Sequence, residues 1–253
     1  MVMPDLLHCK HLGTDAWFFG SVLELLCGSI LPASRTENLD RVWSEIVEQY
    51  GIMKITHRFG HIKESMFKAD NFPKLKGKAS EIRWLVGPLA AVFRRHLDPS
   101  NTQHRYVLAA LRFSAMVETI LDEHHTDFCL PADAHAHFKA AIFGFLEMNT
   151  LLSDWYHERG IFLFNFTVKT HYLAHIALYS RWFNPRLAWA YAGEDFMQVC
   201  KKMFSRPSEE VRLTWFAVNL LRSIRRGWLG RWWQRSAGLK MHAWLRAGHP
   251  GHP

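Results

Sequence analysis

The chain has 253 residues, 49% of them apolar and 21% charged, a balance that supports a packed core and excludes an intrinsically disordered composition. Its four cysteines, Cys9, Cys27, Cys129 and Cys200, are scattered and never occur at Cys-x-x-Cys spacing, which speaks against a zinc ribbon or a disulfide scaffold and fits a reducing nuclear or cytoplasmic setting. The net charge of +8 lies entirely in the eight basic residues from Arg212 to Arg246, because no Asp or Glu follows Glu210; such a stretch beside a neutral body suits nucleic acid or a membrane surface.

The first residues carry no basic region followed by an apolar run, so no signal peptide is expected. Residues 16–31 are the best membrane candidate. They are too short to span, carry Glu24 and sit between polar segments, so no integral membrane protein is expected. They read instead as a helix capped by Thr14 or Asp15 and stopped by Pro32. Residues 37–50 predict a second helix with Leu39, Val42, Trp43, Ile46 and Val47 on one face and Gly51 as its terminator. The lysine-rich stretch 52–78 reads as loop with a short helix near 62–67. Ser80 is expected to cap a helix over 81–96, with Pro88 as a kink or break.

After the break at Asp98-Pro99 come two long helices, about 102–125 and, with Pro131 in its first turn, 131–158. Their apolar faces run through Val107, Leu108, Leu111, Ala115 and Ile120, and through Phe138, Ile142, Phe145, Leu146 and Leu152. The simplest arrangement is an antiparallel pair inside a bundle. Residues 161–168 alternate weakly and predict a short strand. Further helices are expected over 169–182, 192–204 and 208–226, followed by a basic, Trp-rich and disordered end. The fold class is thus mainly α, a helical bundle with at most a few short strands near the ends of the sequence.

Five constellations can carry chemistry. Asp5 and His8, with His11 and Asp15 close behind, sit near the start of the ordered region and include metal-ligand types, although short acidic and His-containing stretches of this kind are common without an ion. His171 and His175 form an i, i+4 pair that one ion can bridge, although no Glu follows the first His as in the zinc-protease motif; such pairs are more often structural. Asp122, Glu123, His124, His125 and Asp127 lack the Glu-x-x-His spacing of diiron bundles and read as an exposed helix end. The segment from Asn184 through Gly193 to Glu194 and Asp195 places two carboxylates at a helix start. Finally, Arg222, Arg225, Arg226, Arg231, Arg235 and Lys240 interleave with Trp228, Trp232 and Trp233, a composition that contacts phosphates and stacks on bases, or lies at a membrane interface.

Asp5-Leu-Leu-His8 with the downstream Gly13 resembles the Asp-x-x-His stretch of transposases from CACTA (En/Spm-type) elements. His171 to His175 looks like the His-x-x-x-His helix of that family, and Asn184-Pro-Arg through Gly193, Glu194 and Met197 looks like its closing stretch. The resemblance implies a ribonuclease H-like core interrupted by a helical insertion, with two Asp and one Glu holding divalent ions, Mg²⁺ by their hard oxygen donors. Carried over, Asp5 is the second aspartate and Glu194 the glutamate, both catalytic and metal-binding. The family's first aspartate falls upstream of Asp5. The resemblance therefore implies a DNA-binding, mobile-element-derived protein without independent catalysis, completed by a missing N-terminal catalytic half or by a second copy. The expected organisation is a core remnant over 1–15, a helical domain over 16–206, a helix over 207–227 and a basic tail over 228–253. A non-catalytic nucleic-acid-binding or protein-interaction helical module stays open beside it.

Overall fold

The computed structural model of the chain describes residues 4–68, 71–191, 193 and 197. Met1–Tyr191 form one compact unit and Ala192–Pro253 another. The helices expected over 192–204 and 208–226, the carboxylate of Glu194 and the basic residues Arg222, Arg225, Arg226, Arg231, Arg235 and Lys240 lie outside the described residues.

The described chain is mainly helical, and at its centre runs a helical rod kinked at Gly13. Wide π turns over Leu7–Asp15 and Leu26–Ile30 flank α1 (Ala16–Leu25). Leu6, Leu7, Phe18, Phe19, Val22, Leu23 and Leu26 are all buried, around every side of the rod. A helix that is apolar all round must be enclosed by protein or lipid. Here the enclosure is the rest of the bundle, and no helix among the described residues is long and apolar enough to cross a membrane. Glu24, the charge in the apolar stretch, is held by the guanidinium of Arg35 through two hydrogen bonds. The expected cap at Thr14 or Asp15 does not form. The winding continues through both residues, with a backbone break only at Gly13 (φ −105°, ψ −107°), and Asp15 turns its carboxylate to Lys10.

Among the described residues five further helices pack around this rod. α2 (Arg35–Ile52) begins two residues before its expected start, because Ser34 and Glu37 form a reciprocal cap: the Glu37 N–H donates to Ser34 Oγ (3.4 Å) and the Ser34 N–H to Glu37 Oε2 (3.0 Å). Gly51 does not end it. The reversal falls at Lys54, in the left-handed region at φ +53°. α3 (Ala79–His96) runs through the buried Pro88 without ending, and Glu81, not Ser80, satisfies its first turn by accepting the Lys78 N–H (2.8 Å). α4 (Thr102–Glu123) is capped by Asn101, whose Oδ1 accepts the His104 N–H (3.1 Å). α5 (Ala132–His157) follows after a short turn and lies antiparallel to α4, with Gly144 set against the ring of Phe113, at nearly the same remove from that turn. α6 (Val168–Tyr179) packs on α5 and on the first π segment.

Among the described residues there is no strand, and of the stretch 161–168 all but Val168, which opens α6, is irregular. Its backbone finds a side-chain partner in place of a neighbouring strand. Phe164 adopts φ +57° and donates its N–H to Ser21 Oγ (2.8 Å). Its ring packs against Phe18 and Tyr156. Ser21 is reachable because the rod is lined with small residues there. At Gly20 the loop backbone comes so near that an added Cβ would stand 2.8 Å from Leu75 N and from Pro73 O. The Leu75 N–H also donates to Ala16 O (2.8 Å).

Two glycine substitutions separate close approach from mere helix weakening. Gly20→Ala forces backbone apart and lowers unfolding free energy by about 1–3 kcal/mol. Gly51→Ala, with nothing within 4 Å of its new methyl, raises it by about 0.5–1 kcal/mol. Urea unfolding monitored by circular dichroism reads both.

Candidate functional site

The first π segment brings polar side chains into the centre of the bundle. Lys10, His11 and Asp15 lie at 2%, 0% and 1% exposure. They meet the buried stripe of α4, where Ser114 and Glu118 follow Val107 and Leu111 at helical spacing. Lys10 Nζ is 2.7 Å from Asp15 Oδ2, 2.7 Å from Glu118 Oε1 and 2.9 Å from Ser114 Oγ, so all three ammonium protons have acceptors. Ser114 in turn donates to Asp15 Oδ1 (3.2 Å). His11 Nε2 lies 2.9 Å from Glu118 Oε1, and its Nδ1 lies 2.9 Å from the hydroxyl of Tyr191.

A second layer sits above. Arg83 of α3 donates from Nε to Glu118 Oε2 (2.7 Å) and from Nη2 to Asp122 Oδ1 (2.5 Å). Arg186 also donates to Asp122, and to Leu121 O (3.2 Å). Both guanidiniums lie near Trp189, 5.1 Å and 4.5 Å from its ring centre. The segment carrying Arg186, Trp189 and Tyr191 is docked by Asn184. This side chain is fully buried and donates to the carbonyls of His124 (2.8 Å) and Asp127 (3.0 Å). Its Oδ1 accepts the Arg186 N–H (3.0 Å).

The charges fix each other's protonation. Burial works against charged Lys10, but the carboxylates of Asp15 and Glu118 outweigh it and hold its pKa above the ordinary value. Burial pushes Glu118 up, yet Lys10, His11 and Arg83 together hold its carboxyl well below the usual range. At Asp15 burial prevails over the attraction of Lys10 and raises the pKa.

His11, Asp15 and Glu118 are, among the described residues, the group of three donors close enough to share one metal ion, their ligand atoms lying within 4.8 Å of one another. The Lys10 ammonium already bridges the two carboxylates, where a cation would act. A metal there would have to displace a buried lysine, so the cluster fits an internal salt bridge and not a metal centre.

Asp5 lies at the other end of the π segment. Its Oδ1 accepts the N–H groups of Leu7 (3.1 Å) and Ala190 (2.9 Å). Its Oδ2 accepts the His8 N–H (3.3 Å) and contacts His8 Nδ1. The structure thus joins two of the three patches picked out in the sequence, residues 5–8 and 184–190. The third, on α6, packs on the same π segment. Asp5 is the one expected Mg²⁺ ligand among the described residues, and these donors engage both of its oxygens. One engaged carboxylate does not build a two-metal site.

His171 and His175 face each other on α6 with their Nε2 atoms 2.9 Å apart, His171 exposed and His175 half-buried. Among the described residues no third His, Cys, Asp or Glu joins them within metal-sharing distance. The 122–127 cluster is tied up locally: Asp122 holds the two arginines, His124 Nδ1 pairs with Asp127 (2.7 Å), and His125 Nδ1 contacts Asp122 O (2.9 Å).

Sequence reasoning passes over Lys10, Arg83, Ser114 and Glu118, while Arg186 lies in the Asn184 segment it singled out. A signal existed for two of them, because Ser114 and Glu118 fall on the apolar stripe of α4. Comparison of the chain with protein-family models, with curated proteins and with solved structures finds no match.

Removing Lys10 leaves two buried carboxylates facing each other. Lys10→Met is expected to cost about 3–5 kcal/mol in thermal or denaturant unfolding, and adding Asp15→Asn recovers part of the loss. Burial also pushes the Cys9 thiol to about 11 and the Cys27 thiol to about 12, while Cys129 is exposed. At pH 8, iodoacetamide labelling of the native protein followed by peptide mass mapping therefore modifies Cys129 and leaves Cys9 and Cys27 until unfolding.

Proposed function

We propose that the chain is a DNA-binding, transposase-like helical protein derived from a mobile element, without catalysis of its own. The observation that carries the reading is the hydrogen bond from the Ala190 N–H to Asp5 Oδ1, across 185 residues of sequence. It joins two distant patches whose order and composition resemble the transposase family.

The absence of independent catalysis rests on Asp5. Its oxygens already accept three backbone N–H groups and contact the His8 ring, so it serves as a cap and clasp. A partner chain carrying a further aspartate would have to release it before two Mg²⁺ ions were shared. The basic residues Arg222, Arg225, Arg226, Arg231, Arg235 and Lys240 supply the phosphate contacts in this reading, which places the protein on DNA in the nucleus or cytoplasm.

The reading is tested with the full chain and a DNA duplex. Affinity falls linearly in a plot of log K against log salt. The variant Arg225→Gln/Arg226→Gln/Arg231→Gln/Arg235→Gln binds more weakly, with a slope reduced by about 3–4. Neither protein nicks the duplex when Mg²⁺ is added. Salt-independent binding, or none, overturns the DNA reading; Mg²⁺-dependent nicking by the chain alone overturns the non-catalytic part.

A further inference from the structure

The neutral body of the chain is not neutral throughout. Between residues 54 and 78 the sequence has seven basic side chains and two acidic ones, besides His57 and His61. Residues 192–253 carry eleven basic and four acidic side chains, so the sequence after the folded unit holds no surplus of acid to offset the stretch. Lys54, Arg58, Lys63, Lys68, Lys76 and Lys78 are all exposed.

The stretch is fixed from beneath. Phe59, Ile62, Phe67 and Leu75 are buried and belong to the core. The Lys74 N–H donates to Phe67 O (3.1 Å) and the Lys76 N–H to Met66 O (2.7 Å), which lays 66–68 alongside 74–76. The Met66 N–H donates to Lys63 O (2.9 Å). The ring of Phe59 lies over Gly77, where an added Cβ would stand 2.4 Å from it. These contacts set the backbone of Arg58 beside Lys76 and Lys78, and the backbone of Lys63 and Lys68 near Lys76. The acids close by are engaged: Glu64 with Arg35 and Lys68 (3.4 Å), and Glu81 with the Lys78 N–H at the start of α3. Basic side chains from separate turns of the loop thus share one anchored stretch of surface.

We infer that residues 54–78 form a docking surface for the phosphate backbone of duplex DNA, gripped through Arg58, Lys63, Lys76 and Lys78. The inference rests on the DNA reading above and adds to it a contact on the folded unit, apart from the basic residues after 210. Charge complementarity selects a polyanion, because closely spaced phosphates release condensed counterions when several cations meet them at once. The anchored backbone reduces the order lost on binding. None of the exposed large apolar side chains among the described residues falls within 54–78. Phe59 and Phe67 are taken up by the core, and Phe72 is half-buried with its ring against Phe162. An unpaired strand is gripped through rings on which its bases stack, and a bilayer through apolar groups that enter it. A surface of charge without such groups fits the outside of a duplex.

The experiment measures anisotropy of two labelled duplexes of unrelated sequence with the full chain over a salt series. Arg58→Gln/Lys63→Gln/Lys76→Gln/Lys78→Gln is expected to weaken binding at least tenfold at low salt and to reduce the log–log slope by about 3–4 on both duplexes. Arg58→Lys/Lys63→Arg/Lys76→Arg/Lys78→Arg keeps the wild-type slope. All of these side chains are exposed, so thermal unfolding followed by circular dichroism gives the wild-type midpoint for both variants. The smaller change Lys63→Gln/Lys76→Gln reduces the slope by about 1.8 and carries the test if the fourfold variant folds poorly. Unchanged slopes in both Gln variants overturn this surface while leaving the DNA reading intact. No binding by the wild type to either duplex overturns both. A loss on one duplex alone overturns the backbone contact. A loss confined to a single-stranded oligonucleotide or to phosphatidylserine vesicles, with duplex binding unchanged, overturns the assignment to a duplex.

Discussion

A single buried ammonium organises the folded unit. Lys10 sits between Asp15 and Glu118, and through them the central rod is fastened to α4. Glu118 then reaches Arg83 on α3, and Asp122 joins Arg83 to Arg186 in the segment after α6. Each charge has an opposite neighbour, so the cost of taking ions out of water is met by contacts that exist only when four distant stretches are in register. An apolar bundle with the same helices could slide or rotate with little penalty. Any such shift here leaves a carboxylate or a guanidinium alone in the interior.

The same network explains why the rod is wound as it is. With Asp15 committed to Lys10 and Ser114, it does not cap α1, and the winding runs through it back to the kink at Gly13. The wide π turns at Leu7–Asp15 present Lys10, His11 and Asp15 toward α4, while Leu6 and Cys9 pack in the apolar core. Local backbone preference yields to the placement of charge, as it does in π segments at functional positions generally.

Much of the architecture was legible. The long helices α4 and α5 announced themselves by apolar periodicity and by the breaks at Asp98-Pro99 and Pro131, and the short loop between them made them antiparallel. Ser34 and Glu37 stood in the sequence as a capping pair and were passed over in favour of a later start. The stretch 161–168 read as a strand because it is rich in β-formers. Periodicity carries no information about Ser21, more than a hundred residues earlier, which takes the Phe164 N–H. The site was less legible. Asp5 and the Asn184 segment were singled out, but their meeting depends on folding. Lys10 and Arg83 look like surface residues in isolation, since only partners far along the chain, Ser114 and Glu118 for Lys10 and Glu118 and Asp122 for Arg83, explain why they are inside.

The bond between Ala190 and Asp5 has a topological consequence. The place where the polypeptide enters this unit and the place where it leaves are side by side. A short bridge between them would close a loop of little entropic cost, and new termini could be opened in an exposed turn such as the one after His96. The unit is built as a ring in all but covalent connectivity, and circular permutation would keep its interior unchanged.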